Sequence, residues 1–327
     1  FISNEDGKIN INFNSLETDT KMHGEYIITL CGPNQEEFAM KTVKVTDTNT
    51  AVLPFIGAKA GNYYYMCISP GPNFASGHDY KIRVSFTKGK FYEKEFNDTE
   101  EKAGKLILAN NYVGTIGSDS LNGDSWGVDD SDFYYIKAPA KGTMTLSFKH
   151  KKRDSEYASI SGWALDLYKH HNGGNLSLSN GLIPLNDKEN VKVYSGQMAK
   201  NAELWFSVRS AIYGQGSYLA SDIVGEPYTV ATTFVLAAKP KITAKSTKNS
   251  ITLTSKKIAD ITGYEIQIKE GKKFKKLATT KKKALKYTKK GLKKNKRYTF
   301  RVRAYLKADG TKYYGKWVTV SAKTKAK

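Results

Sequence analysis

Along most of this chain apolar side chains recur at every second position, the period of a strand with one face buried and the other wet. Lys8-Ile9-Asn10-Ile11-Asn12-Phe13 alternates without a break, and residues 142–148 and 202–209 do the same. Gly, Asn and Asp fill the spaces between such runs, where turns need them. One stretch, 98–108, could turn as a helix behind an Asn or Asp cap, and no long amphipathic helix can be written anywhere. The pattern predicts an all-β protein. At 327 residues the chain is too long for one sandwich and long enough for two or three domains, each with its own core. No apolar run approaches the roughly 20 residues of a bilayer span, and Phe1 does not open a signal-type pattern.

Charge divides the chain. From Lys239 onward there are 29 lysines and arginines against four acids (Asp260, Glu265, Glu270, Asp309), leaving 23 basic and 27 acidic groups in the first 238 residues. The formal +21 is therefore about +25 on one module and about −4 on the rest. So abrupt a change at Ala237-Ala238-Lys239-Pro240 marks a domain boundary.

An internal repeat organises what precedes that boundary. Phe1 to Phe13 aligns without gaps on Ile136 to Phe148, matching the turn glycines Gly7 and Gly142 and the inward residues after them. Tyr26 to Cys31 then corresponds to Trp163 to Tyr168, Gly61 to Ile68 to the strand around Trp205, and Asp79 to Phe86 to Pro227 to Phe234. The expected division is 1–90, 91–238 and 239–327. The first copy begins partway through the pattern, so the equivalent of 93–135 is expected upstream of Phe1 in a longer polypeptide.

Acidic side chains gather at the start of the second copy. In an extended segment Glu93, Glu95 and Asn97 share a face, with Asp98 at the turn. Carboxylates so close repel unless neutralised, and a hard cation that accepts six to eight oxygens does this well; calcium fits better than magnesium. Spacing alone favours a solvated acidic linker with an ordinary helix cap at Asn97 or Asp98 over a metal site.

Tyr92-Glu93-Lys94-Glu95-Phe96-Asn97-Asp98, followed by Gly114-Thr115-Ile116, by Asp129-Asp130-Ser131-Asp132-Phe133-Tyr134 and by the repeated strands, resembles the bacterial pre-peptidase C-terminal domain, a relative of the collagen-binding domains of clostridial collagenases. The resemblance covers about 92–236, and more weakly 1–88; Phe96 stands where that family usually has Pro. It implies two jelly-roll-like sandwiches, a structural calcium ion in the second, and Asp129 and Asp132 as the remaining ligands beside Glu93, Glu95, Asn97 and Asp98.

Residues 239–327 resemble a fibronectin type III domain, an immunoglobulin-like sandwich. Gly263 to Ile268 reads as a central strand, and Leu292 followed six residues later by Tyr298-Thr299-Phe300-Arg301-Val302-Arg303-Ala304 looks like that family's tyrosine-corner strand. Asp309-Gly310 reads as a tight hairpin and Gly315-Lys316-Trp317 opens the closing strand. Leu253 stands near the place of the family's early core Trp, and no Arg-Gly-Asp tripeptide occurs.

The lysine runs of this module, among them Lys272-Lys273, Lys275-Lys276 and Lys281 to Lys283, fall mostly in turns, where solvated charge serves solubility or attracts a polyanion such as a cell-wall polymer, a host glycosaminoglycan or a mucin glycan. No nucleic-acid recognition motif accompanies them. The five histidines (His23, His78, His150, His170, His171) form no metalloprotease motif, and there is no nucleophile elbow or phosphate-binding loop. Cys31 and Cys67 lie at the ends of strands that should be neighbours, so a disulfide between them is expected. The expectation from sequence is a monomeric, non-catalytic, extracellular surface or accessory protein that binds or spaces toward a matrix protein, glycan or cell wall. The alternatives are the C-terminal region of a secreted protease or glycosidase, and a purely structural stalk.

Overall fold

The computed structural model describes residues 1–19, 21, 23–72, 78–117, 130–154, 158–159, 161–171, 174–212, 223 and 225–327. The first sandwich comprises β1 (Gly7–Ser15), β2 (Glu25–Cys31), β3 (Glu37–Lys44), β4 (Ala51–Val52), β5 (Ile56–Ala58), β6 (Tyr65–Pro70) and β7 (Tyr80–Lys88). The second comprises β8 (Gly104–Leu106), β9 (Asn111–Gly114), β10 (Ser131–Lys137), β11 (Gly142–Lys149), β12 (Ser161–His171), β13 (Gly174–Pro184), β14 (Asn190–Met198), β15 (Glu203–Ile212) and β16 (Tyr228–Leu236). The last comprises β17 (Thr243–Ser246), β18 (Ile251–Ser255), β19 (Gly263–Glu270), β20 (Lys273–Thr279), β21 (Leu285–Lys289), β22 (Arg297–Ala308), β23 (Thr311–Gly315) and β24 (Val318–Lys323). The protein is all-β, in tandem sandwiches.

Alternation in sequence becomes alternation in burial. In β1 every odd position from Gly7 to Ser15 is buried and every even one half-exposed, so Ile9, Ile11 and Phe13 reach the core, where they meet Tyr26, Ile28 and Leu30 of β2. In β11 Met144, Leu146 and Phe148 do the same against Trp163, Leu165 and Leu167 of β12.

The repeat holds at the level of register. β1 pairs with β7 so that Gly7 faces Lys88, Ile9 faces Phe86 and Phe13 faces Ile82; β11 pairs with β16 so that Gly142 faces Leu236, Met144 faces Phe234 and Phe148 faces Val230. β2 and β6 pair Tyr26 with Pro70 and Cys31 with Tyr65, as β12 and β15 pair Trp163 with Ser210 and Tyr168 with Trp205. Because a slip of one residue would invert every inward side chain, this agreement ties both copies to one pattern.

The last module carries its expected marks. The backbone N–H of Lys293 donates to the Tyr298 hydroxyl at 2.9 Å, the bond of a tyrosine corner. Asp309 and Gly310 join β22 to β23 at φ 47° and 73°, the positive values of a tight hairpin turn. Leu253 is fully buried in β18. The boundary near 238 is not a break in packing: β16 runs parallel to β23, pairing Val235 with Tyr314 and Leu236 with Gly315, and the rings of Phe234 and Tyr313 meet edge-on at 5.7 Å.

Two expectations are corrected. The stretch 98–108 forms only a single 3₁₀ turn, Glu100–Lys102, followed by β8, which pairs parallel with β10 and delivers Leu106 to the core. Pairing with an existing strand buries apolar side chains that an isolated turn of helix would leave wet. Cys31 and Cys67 are both free thiols. Their strands are neighbours, but Cys31 faces Tyr65 and Cys67 faces Thr29. The cysteines are therefore diagonal, and diagonal Cα atoms lie about 7–8 Å apart, beyond the usual reach of a disulfide.

Candidate functional site

The segment 92–97 runs between the first two sandwiches and divides its side chains by parity. The backbone N–H of Glu93 donates to the Val113 carbonyl at 2.9 Å, holding the segment beside β9. Lys94 and Phe96 point toward the first sandwich, where the Lys94 ammonium pairs with Asp6 and the Phe96 ring packs on the core around Ile28 and Leu30. The Phe96 ring lies on Gly32, whose missing Cβ would sit 1.8 Å from it, so only glycine fits there. Glu93, Glu95 and Asn97 point into the second sandwich. The Glu95–Phe96 peptide is cis.

The acidic side chains meet β10 there. One carboxylate oxygen from each of Glu95, Asp130 and Asp132 lies within 4.8 Å of the others. Both Glu95 oxygens, Oδ1 of Asp132 and Oδ1 of Asn97 are sealed from solvent with no hydrogen-bond donor among the described residues. The Asn97 amide nitrogen donates to the Phe133 carbonyl at 3.2 Å, which ties it beside Asp132 in the chain. Asp130 Oδ2 accepts the Gly117 N–H at 2.7 Å. Four acceptor oxygens without a proton to share is an expensive arrangement, because each buried carboxylate costs several kcal/mol unless it is paired.

Glu93, expected among the ligands, lies against Asp132 but is occupied by other donors. Its Oε1 accepts the Thr115 backbone N–H, and its Oε2 accepts the hydroxyls of Tyr134 at 2.8 Å and Tyr228 at 2.9 Å. The Tyr228 hydroxyl also reaches Asp132 Oδ2 and lies 2.6 Å from that of Tyr134. The Tyr228 phenol thus bridges Glu93 to Asp132, and the two carboxyls also meet directly. Gly114 makes room for them: a Cβ there would come within 2.1 Å of Glu93 Oε2 and 2.4 Å of the Tyr228 ring.

Titration follows from this burial. Desolvation first, then repulsion from Asp130, pushes the Glu93 carboxyl up to about 8. Burial, then the charges of Glu93, Asp130, Asp132 and Asp98, pushes Glu95 well above the usual carboxylate range. Asp130 and Asp132 move the same way, Asp130 through burial and Asp132, and Asp132 through burial and Glu93. No basic group is among the causes.

Of the six residues expected to hold a metal, the structure brings Glu95 and Asp132 together, ties Asn97 to Phe133 next to Asp132 in the chain, sets Glu93 in contact with Asp132 but held by other donors, and leaves Asp98 exposed, close enough for its charge to act on Asp130. Asp129 lies outside the described residues. Asp130 takes a place in the cluster that the sequence reading did not give it. The same parity that groups 93, 95 and 97 would have found it, since Asp130 and Asp132 are two apart at the head of one strand.

Comparison with known proteins assigns one region. The chain aligns with a beta-1,2-glucanase from Parabacteroides distasonis at 12% identity and TM-score 0.21, over 67% of this chain and 36% of that one. It aligns with the glycoside hydrolase domain of Endo-D from Streptococcus pneumoniae R6 at 10% identity and TM-score 0.23, over 66% of this chain and 38% of that one. It thus spans under two fifths of either. The FN1–FN3 domains of chicken CNTN1 align at 11% identity and TM-score 0.31, over 98% of this chain and 99% of that one. Comparison with curated proteins returned no match. No helix among the described residues is long and apolar enough to cross a membrane. Residues 238–320 match the family model of the fibronectin type III domain.

Proposed function

We propose that this chain is a non-catalytic accessory region of an extracellular bacterial protein. In this reading a calcium ion stiffens the second sandwich, of the pre-peptidase C-terminal type, and the basic fibronectin module beside it meets a ligand outside the cell. The observation that carries it is the set of buried, donorless oxygens on Glu95, Asn97 and Asp132, with Asp130 beside them. All are hard oxygen donors, without nitrogen or sulfur, which suits calcium or magnesium over zinc or copper. Donors from two distant segments favour calcium, which tolerates irregular geometry, over magnesium, which demands a near-ideal octahedron. Raised carboxyl titration in a cleft is also a mark of catalysis, but here both Glu95 oxygens are buried rather than presented at an open surface. Extracellular placement rests on the fibronectin type III module, typical of such proteins.

An ion that binds only the folded state stabilises it by about 2.7 kcal/mol at a hundredfold excess over Kd. In a domain of this size that raises Tm by about 5–10 °C. Differential scanning calorimetry with calcium and with chelator should show this shift, and Glu95→Ala with Asp132→Ala should abolish it while the fibronectin module still melts as before. Identical melting of wild type in calcium and in chelator would sink the reading.

A further inference from the structure

The outward face of the last module carries a ladder of alternating rings and guanidinium groups. β19 and β22 pair so that Glu265 faces Arg303 and Gln267 faces Arg301, while Ile266, Phe300, Val302 and Ala304 point into the core. The Arg301 guanidinium carbon lies 4.3 Å from the ring centre of Phe274 and 4.4 Å from that of Trp317. That of Arg303 lies 4.4 Å from Trp317 and 3.6 Å from Tyr314. The order is Phe274, Arg301, Trp317, Arg303, Tyr314. Such contacts hold two long side chains that would otherwise lose rotamer freedom on meeting a ligand.

The two arginine rungs differ in charge. Arg303 donates from Nε and Nη2 to Glu265 Oε2, at 3.1 and 2.8 Å, and is neutralised there. Arg301 donates from the same two atoms to Gln267 Oε1, at 2.8 and 2.6 Å. Its partner is an uncharged amide, so Arg301 keeps a whole positive charge in a fixed position. Across β20, Lys276 faces Gln267 and Phe274 faces Lys269, which puts two exposed lysines on the same side of the sheet as Arg301.

We propose that this face binds an acidic polysaccharide, with Arg301 as its fixed anchor and Lys269 and Lys276 as flanking charges. The proposal rests on the reading of this module as the ligand-facing part of an extracellular protein, and it is independent of the calcium site. Arg301 and Lys276 are separated by two strand spacings, roughly 10 Å, so one small anion cannot serve both and a chain of anionic groups can. The surrounding module, with 29 basic residues against four acids, draws such a polymer in from a distance. Nucleic acid fits less well. Base stacking needs open ring faces, and here guanidinium groups lie over Phe274 and Trp317; the sheet face is flat where a duplex groove wants a projecting element.

Full-length protein in calcium tests this on immobilised heparin, a sulfated probe, and on polygalacturonate, a carboxylated one, with duplex DNA of equal charge as competitor. Arg301→Gln should weaken binding to at least one glycan about tenfold and lower the salt slope by about one contact, Lys276→Gln should weaken it about threefold, and Lys286→Gln on the opposite sheet should change it less than twofold. Lys276→Gln leaves the ladder intact, so it decides the matter if Arg301→Gln fails to fold. Equal losses for Lys276→Gln and Lys286→Gln, or duplex DNA that binds more tightly than either glycan through the same residues, would overturn the proposal. Absence of a calcium effect on melting, with the glycan pattern intact, would count against the metal alone.

Discussion

The acid cluster and the arginine ladder both place charged side chains on the strands of a sandwich, and they satisfy those charges by opposite means. In the ladder the partners belong to the chain. Burial alone would raise the Glu265 carboxyl, but hydrogen bonds from Arg303 and Gln267, with the charges of Arg303 and Lys276, outweigh it and hold the group below its usual range. In the cluster burial and like charge push in one direction, and Glu95, Asp130 and Asp132 are all driven upward. A sandwich can therefore carry ionised groups on its own where a counter-charge lies across the strand pair. Where none does, it needs protons or a metal ion.

The largest effect that separates these regions is pH dependence in chelator. Each cluster carboxyl titrates higher folded than unfolded, so its contribution to stability is complete below the ordinary carboxylate range and is lost as pH rises through the folded value, about 8 for Glu93. Without metal, the second sandwich should melt at progressively lower temperature from pH 5 to pH 8; calcium should flatten that fall, because the cation replaces the protons. Glu265 runs the other way: its folded value is lowered, so its contribution is present above the ordinary range and lost on acidification. A calcium-free protein whose melting is unchanged or rises between pH 5 and 8 would break the comparison.

A smaller effect sharpens it. Glu265→Gln keeps an acceptor opposite Arg303 and removes the charge from a pair whose side chains are 10% and 24% exposed. The expected cost is about 1 kcal/mol, the same in calcium and in chelator, read from the unfolding transition of the fibronectin module. A calcium-dependent cost would mean that the two regions are energetically linked.

How much of this was legible before folding depended on how far each inference reached along the chain. Period two was enough for the strands, and the gapless repeat from Gly7 and Gly142 was enough to tie both sandwiches to one pattern, though not to say which residues face each other. It was enough to put Glu93, Glu95 and Asn97 on one face. It could not say that Glu93 would be taken by Thr115, Tyr134 and Tyr228, because those residues are 22, 41 and 135 positions away. The cysteines failed for a related reason: their strands were identified as neighbours, but which residue faces which is set by the whole pairing of β2 with β6. The ladder was hidden for the same reason again, since Phe274, Arg301 and Trp317 meet only when β20, β22 and the closing strand share a sheet.

The central claim is that a bound cation neutralises Glu95, Asp130 and Asp132, and terbium luminescence tests it most directly. Terbium occupies calcium sites and emits when a tyrosine nearby absorbs, and the phenol of Tyr228 bonds Asp132. Excitation of tyrosine should give terbium emission that saturates at one equivalent per chain, is displaced by calcium, and is lost in Glu95→Ala and strongly weakened in Asp130→Asn. Emission that is absent from the wild-type protein, or that survives Glu95→Ala unchanged, would contradict the account.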